Sequence, residues 1–256
     1  MTIFLTVIIF IILAISLAWY FISHDRGEKK PIGALWVAAG FGFLGAIVAA
    51  FAEYLIIPAA TLKPGASLGI AMVLGALAVG IIEEACKFLP LALFLYPKRY
   101  FNEHTDGVIY FAIAGLGFGV PENILYTFSY GAKVGLVRII LTPFFHAATT
   151  AMVGYYLAKN KLSNKSKWAT VVPLVAAMLL HGLYDLGLMS GNGLLVVLSL
   201  MITAGMTVCL FLFYMRAGER DQAAGLAAVG HNSFCRSCGF PNPKHNLYCA
   251  HCGKRA

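Results

Sequence analysis

Seven long apolar stretches, separated by short polar segments, follow one another along this chain. They lie near residues 3–23, 32–58, 67–96, 107–128, 134–158, 168–188 and 193–215. About 20 apolar residues are enough for a helix to cross the hydrocarbon core of a bilayer. The pattern predicts an all-α membrane protein built as a bundle of about seven transmembrane helices. The third stretch exceeds what a perpendicular crossing requires, which predicts a tilted helix or one that continues beyond the lipid.

Composition and charge support a membrane location. The chain is 60% hydrophobic and 12% charged, whereas soluble domains have about 25% charged residues. Lys and Arg concentrate in the segments after the first, third, fifth and seventh stretches, so the positive-inside rule predicts an outside N-terminus and a cytoplasmic C-terminus. Basic loops facing anionic lipid account for the net charge of +8. No nucleic-acid partner is therefore expected.

The first stretch is predicted to be a retained helix rather than a cleaved signal peptide. No Lys or Arg precedes it, and no small-x-small cleavage site follows it. The sequence thus predicts a membrane domain over residues 1–216, followed by a polar, small-residue linker over 217–232 and a separate module over 233–256.

That last module carries two C-x-x-C-G motifs. They contain Cys235 with Cys238 and Cys249 with Cys252, and ten residues separate the two pairs. Four thiolates at this spacing predict a zinc ribbon with a closed, structural site. Two disulfides are the alternative, but thiols stay reduced in the cytoplasm. The module is too short for its own core and is expected to need the metal to fold; it would recognise a cytoplasmic partner or protect the C-terminus.

Ionisable residues lie inside several of the apolar stretches. A charge at the bilayer centre costs about 2.5–3.5 kcal/mol on insertion scales, so such residues are expected to pair within a bundle. In the third stretch, Lys87 follows Glu83 by four residues and Glu84 by three, and can reach either carboxylate on a helix. One glutamate could face a reacting centre while the other contacts a neighbouring helix. The alternative is an ion pair that only holds helices together.

The next three stretches add further polar groups. Glu122 follows Pro121, which is expected to bend the fourth helix beside it. His146 lies in a polar stripe at four-residue spacing, which also contains Arg138, Thr142 and Thr150. His181 and Asp185 share a helix face and could act as acid and orienting group, or as two metal ligands. Glu53, near the end of the second helix, is interpreted as interfacial and is not assigned to the site.

At these positions the sequence resembles the PrsW family of intramembrane proteases, relatives of the CAAX-processing protease superfamily. The family pattern is Glu-Glu-x-x-Lys, Phe-x-x-x-Glu, a histidine helix and His-x-x-x-Asp. It is found here, in order, within residues 70–190 as Glu83-Glu84-x-x-Lys87, Phe118-x-x-x-Glu122, His146 and His181-x-x-x-Asp185. The zinc ribbon lies outside this motif core.

The resemblance implies hydrolysis of a peptide bond in a membrane-anchored protein, such as an anti-sigma factor, in a prokaryotic cytoplasmic membrane. It implies that Glu83 or Glu84 activates water and that Lys87 holds the carboxylates or stabilises developing charge. His146 and His181 would be oxyanion stabilisers, proton donors or metal ligands, with Glu122 and Asp185 orienting them. Both a divalent metal bound by His146, His181 and Glu122, and a metal-free glutamate mechanism, remain open.

Two other functions compete with proteolysis. The same superfamily is thought to include a non-catalytic scaffold subunit of gamma-secretase; here the presence of both glutamates and both histidines favours an enzyme. An ion or proton transporter also uses intramembrane Glu, His and Asp. No inverted repeat is apparent in the sequence, which disfavours a transporter.

Overall fold

The computed structural model describes residues 2–25, 27–58, 61, 68–163 and 168–224. Within these residues the chain forms seven α-helices and no strand. The helices are α1 (Thr2–Ser23), α2 (Ile32–Ile56), α3 (Ile70–Phe94), α4 (His104–Tyr130), α5 (Ala132–Ser163), α6 (Trp168–Met189) and α7 (Gly193–Ala223).

The helices confirm the predicted all-α membrane bundle. Five of them, α1, α2, α4, α6 and α7, are long and apolar enough to cross a membrane, and α5 adds a sixth if its two bent parts are one span. The remaining helix, α3, is 25 residues long but contains Glu83, Glu84 and Lys87. It runs from Ile70 to Phe94, within the 67–96 stretch from which a tilted helix, or one that continues beyond the lipid, was predicted.

The seventh helix extends beyond its predicted end. It continues to Ala223, so residues 217–223, which the composition assigned to a linker, are helical. The cysteine module over 233–256 and the rest of the linker lie outside the described residues.

The fourth helix is the centre of the bundle. It packs against α1, α2, α5 and α7 and runs through Pro121 as one helix, with most of its residues buried. Glycines allow its closest approach to α5: a Cβ on Gly107 would lie 2.2 Å from the Gly154 carbonyl oxygen, and one on Gly115 would lie 2.3 Å from that of His146. Small residues bring membrane helices together in this way, and here they fix His146 against α4.

The fifth helix bends just before its histidine. Its parts Ala132–Ile139 and Leu141–Ser163 differ in direction by 45°. Pro143 lies in this helix and has no N–H to donate to the carbonyl of Ile139, four residues earlier, which favours a bend there. The bend separates the segment carrying Arg138 from the segment carrying His146.

Buried polar contacts fix the end of the bundle where α4 begins. The ammonium of Lys30 contacts Asp25 at 3.1 Å, Asp106 at 2.8 Å and the Glu103 carboxylate. Asp221 of α7 accepts hydrogen bonds from the backbone N–H groups of His104 and Thr105, at 2.7 and 2.9 Å. Because it satisfies free N–H groups of the first turn of α4, Asp221 belongs to the membrane domain rather than to a linker.

We expect Gly115→Ala to destabilise the protein, because the new methyl group would have to displace the α5 backbone at His146. Overpacking of this kind costs about 1–3 kcal/mol. Gly40→Ala in α2 is the matched control, since its Cβ would meet no atom within 4 Å. Thermal unfolding in detergent should show a lower Tm for Gly115→Ala and no decrease for Gly40→Ala; equal Tm values would contradict the close packing of α4 and α5.

Candidate active site

Lys87 forms the centre of a buried polar cluster on α3. Its ammonium donates to Glu83 Oε2 at 3.2 Å and to Glu84 Oε1 at 3.0 Å, one helical turn back along the same helix. It also lies 2.9 Å from His146 Nδ1 on α5, which must accept because an ammonium can only donate. Its three N–H groups are thus all used to position other members of the cluster.

His181 enters the cluster from α6, opposite the two glutamates. Its Nδ1 lies 2.7 Å from Glu84 Oε1, so this nitrogen carries the proton that the carboxylate accepts. Thr149 of α5 donates to the same oxygen at 3.2 Å. The other ring nitrogen, Nε2, is thereby left to face Glu83 Oε2, 3.3 Å away.

His146 is held in a similar way between α3 and α4. Its Nε2 lies 2.6 Å from Glu122 Oε2, and Arg138 of α5 contacts the other oxygen of that carboxylate. The Arg138 guanidinium in turn lies 3.9 Å from the ring centroid of Tyr126, a distance at which cation–π attraction stabilises the charge. Glu122 is therefore neutralised by a cation on one side and positions a histidine on the other.

The two histidines have the same arrangement. Each places one ring nitrogen against a carboxylate: His181 against Glu84, and His146 against Glu122. The other ring nitrogen faces Glu83 in His181 and Lys87 in His146. A histidine that binds a metal is commonly oriented by a carboxylate in this manner. One ligand atom from each of Glu83, His146 and His181 lies within 4.8 Å of the other two.

This donor set fits a divalent metal ion. Two histidines and a glutamate form the protein ligands of several catalytic zinc sites. Asp185 Oδ2 supports the same fit: it is buried without a hydrogen-bond partner in the described residues, 3.6 Å from His181 Nε2. Nε2 thus faces two carboxylate oxygens, an arrangement that requires a proton or a cation between them.

Aromatic side chains enclose the polar cluster. The Phe118 ring lies 4.1 Å from the Lys87 ammonium, and the Phe145 ring contacts His181 with its centroid 5.1 Å away. Phe145 also stacks on Tyr184 at 4.1 Å. These rings exclude lipid and limit water, so interactions between the charged groups are stronger than at a surface.

The structure brings together all seven residues that the sequence assigned to catalysis, Glu83, Glu84, Lys87, Glu122, His146, His181 and Asp185. It changes the group of possible metal ligands. The residues close enough to share a metal include Glu83 with the two histidines, whereas the sequence grouped Glu122 with them. The four cysteines of the predicted zinc ribbon lie outside the described residues.

Sequence reasoning left out three residues near the cluster. Arg138 was noticed in the polar stripe of α5, but its ion pair with Glu122 depends on how α4 and α5 pack. Thr149 gave no signal, because a lone threonine is ordinary in a helix. Glu53 was interpreted as interfacial, yet it is close enough to interact electrostatically with Glu83, Glu122 and Asp185; its charge within an apolar helix was the available signal.

A membrane helix bundle with acids and histidines gathered in one enclosed site is compatible with an intramembrane hydrolase and also with a transporter. The chain matches the PrsW family of intramembrane metalloproteases over residues 30–217 and is a member of that family. The matched region contains every residue of the cluster and ends within α7, before the cysteine module.

Curated relatives agree with this assignment. The chain is 32% identical to Protease PrsW of Bacillus subtilis (strain 168) over 174 residues, covering 67% of this chain and 77% of the relative. It is 28% identical to Protease PrsW of Geobacillus kaustophilus (strain HTA426) over 175 residues, covering 67% and 74%. No solved structure matches the chain.

We predict that Arg138→Met destabilises the protein by about 3–5 kcal/mol, because it leaves the Glu122 carboxylate buried without its cation. Adding Glu122→Gln should recover most of this loss, since no charge then remains unpaired. Chemical denaturation in detergent measures both effects. Lys133→Met, at an exposed position of the same helix, is the control; an Arg138→Met variant as stable as this control would contradict the pairing.

Proposed function

We propose that this protein hydrolyses a peptide bond of a membrane-anchored protein, with Glu83 activating the attacking water. The observation that carries the proposal is the buried group formed by Glu83, His146 and His181, whose ligand atoms lie within 4.8 Å of one another. Membership of an intramembrane metalloprotease family favours an enzyme over the scaffold and transporter alternatives.

The hydrogen bonds distinguish the roles of the adjacent glutamates. Glu84 Oε1 accepts from Lys87, Thr149 and His181, so we assign Glu84 to positioning. Glu83 faces the inward nitrogen of His181 and belongs to the group of possible metal ligands. With two carboxylate oxygens, Glu83 can contribute one to a ligand set and use the other to accept a proton from water.

The remaining groups position the histidines and carry protons. Lys87 donates to Glu83, Glu84 and His146, so we assign it to holding the site rather than to contacting substrate. Nδ1 of His146 accepts from Lys87, and its Nε2 lies 2.6 Å from Glu122 Oε2. Without a metal ion, we assign His146 to stabilising the oxyanion or protonating the leaving amine, once substrate takes the place of one of these contacts.

A divalent metal ion would be held by Glu83, His146 and His181, and at Nδ1 of His146 it would take the place of the Lys87 ammonium. When bound, it would polarise the substrate carbonyl and make water a stronger nucleophile. Glu84 and Glu122 would orient the two histidines for that ion, and Asp185 would contribute a further carboxylate beside His181.

The proposed substrate class is a membrane-anchored regulator of the anti-sigma factor type, as the family resemblance implies. The basic loops support an outside N-terminus and a cytoplasmic C-terminus in a prokaryotic cytoplasmic membrane. Cys235, Cys238, Cys249 and Cys252 would bind a structural zinc in the cytoplasm, where the ribbon could recognise a partner or the tail of the substrate.

We predict that Glu83→Gln abolishes cleavage while the protein stays folded, because an amide cannot accept the proton from water. Glu84→Gln should reduce kcat by about 10- to 100-fold, since His181 loses its orienting carboxylate. Cleavage of a fluorogenic membrane-anchored peptide library by purified protein measures both variants, and detergent gel filtration checks their folding. Full activity of a folded Glu83→Gln variant would exclude the assigned role.

We predict one bound metal in the membrane domain that is independent of the cysteine module. A full-length variant with Cys235, Cys238, Cys249 and Cys252 all changed to Ser should retain about one divalent metal per chain, measured by mass spectrometry of the purified protein. Adding His181→Ala should remove that metal, because a histidine ligand is lost. A four-cysteine variant that binds no metal when supplied with zinc would contradict a metal site at Glu83, His146 and His181.

A further inference from the structure

A cavity of about 260 Å³ lies between the end of α2 and the beginning of α3. Its walls are apolar or small side chains: Ile56, Ile57 and Pro58 from the end of α2, then Thr61, and Ala71, Leu74, Gly75 and Ala78 from α3. Ile56 is 64% exposed and Leu74 59% exposed, so the cavity opens on the apolar face that surrounds the bundle. An apolar group that enters from the membrane therefore fits this cavity.

The packing of α2 and α3 shows how close this cavity comes to the polar cluster. The helices run antiparallel: Gly45 lies against the Cys86 carbonyl, and Ala49 packs in one cluster with Ile82 and Cys86. Continuing this register along α2 places Glu53 at the level of Ala78, the innermost α3 residue of the cavity. Glu53 thus lies between the cavity and Glu83.

Glu53 has an unsatisfied carboxylate oxygen. Its Oε1 is buried, with no hydrogen-bond partner in the part of the chain that the structure describes. It is close enough to interact electrostatically with Lys87, Glu83, Glu122 and Asp185. A buried oxygen without a donor is costly unless a ligand supplies one, and the backbone N–H of a peptide is such a donor.

The spacing along α3 relates the cavity to the proposed reaction. Ala78 precedes Glu83 by five residues, or about 7.5 Å at about 1.5 Å per residue. An extended peptide covers this distance in roughly two residues. An apolar side chain in the cavity would therefore place a peptide bond about two residues away beside Glu83.

We propose that this cavity binds an apolar side chain of the substrate about two residues from the cleaved bond, and that Glu53 binds the substrate main chain between the two points. The inference rests on the proposed function, since it names a substrate subsite of the same active site. It describes the substrate as an extended segment that runs from the cavity toward Glu83 and is selected by one side chain.

The test uses full-length protein in vesicles and a peptide that the wild type cleaves, with the scissile bond identified by mass spectrometry. Ala, Leu, Phe and Lys are substituted at each of three positions on either side of that bond, and kcat/KM is measured. Ala78→Leu fills the cavity. At a substrate position about two residues from the scissile bond, it should reduce the kcat/KM preference for Leu or Phe over Ala by roughly tenfold. Leu74→Ala widens the cavity and should shift the preference toward Phe.

Ala50→Leu is the matched control for Ala78→Leu, because Ala50 lies on the exposed side of α2. It should leave side-chain preference unchanged. If Ala78→Leu and Leu74→Ala both match this control, the cavity is not a substrate subsite, and a lipid acyl chain would be the remaining occupant.

Glu53 is tested separately by Glu53→Leu, which removes hydrogen-bonding capacity but remains compatible with a membrane helix, and by Glu53→Gln, which retains an acceptor. Glu53→Leu should raise KM by roughly three- to tenfold, the loss of one hydrogen bond, with a smaller change in kcat. The Glu53→Gln variant should keep a KM close to that of the wild type.

An unchanged KM in Glu53→Leu would overturn the assignment of Glu53 to main-chain binding. The proposed function fails by a different result, namely cleavage by a folded Glu83→Gln variant, so the two failures are distinguishable.

Discussion

A buried ammonium group, that of Lys87, is the interaction on which the site depends. An unpaired charge at this depth would be expelled from an apolar bundle, and Lys87 is retained because Glu83, Glu84 and His146 surround it. These partners come from α3 and α5, so pairing the charge also fixes the relative position of the two helices. Removing the lysine would leave two carboxylates facing each other without a cation.

The second constraint is the close approach of α4 and α5. Gly107 and Gly115 bring the α4 backbone against Gly154 and the His146 carbonyl, which places Glu122 beside the histidine ring. A larger residue at either glycine would separate the two groups. The close backbone packing at these glycines and the pairing of the charged groups thus act together, and each requires the other.

The polar cluster is layered, with the reacting groups proposed at its centre. Lys87 and Nε2 of His181 face Glu83, and Nδ1 of His146 faces Lys87. Glu84, Glu122 and Arg138 contact these groups from the other side. Several buried polar atoms of the cluster have no hydrogen-bond partner in the described residues, among them Glu122 Oε2, His146 Nε2 and Arg138 Nε. Asp185 Oδ2 and Glu53 Oε1 also lack partners there, and we propose that a ligand supplies the missing contacts to these two.

The sequence determined the helices and the candidate residues, because both are local properties. A run of about 20 apolar residues forms a membrane helix whatever its neighbours, and a charge within such a run is costly enough to indicate function. The spacing of Glu83, Glu84 and Lys87 also determined that these three could pair, since they share a helix. The four cysteines predict a zinc site from spacing alone.

Only the tertiary structure decided which helix faces meet. It showed that Glu84 holds His181, that Arg138 neutralises Glu122, and that Glu83 rather than Glu122 groups with the two histidines. It also placed Glu53 near the site, although its position in the sequence suggested an interface. These contacts join residues far apart in the chain, and they depend on helix rotation and close approach, which periodicity within one helix does not specify.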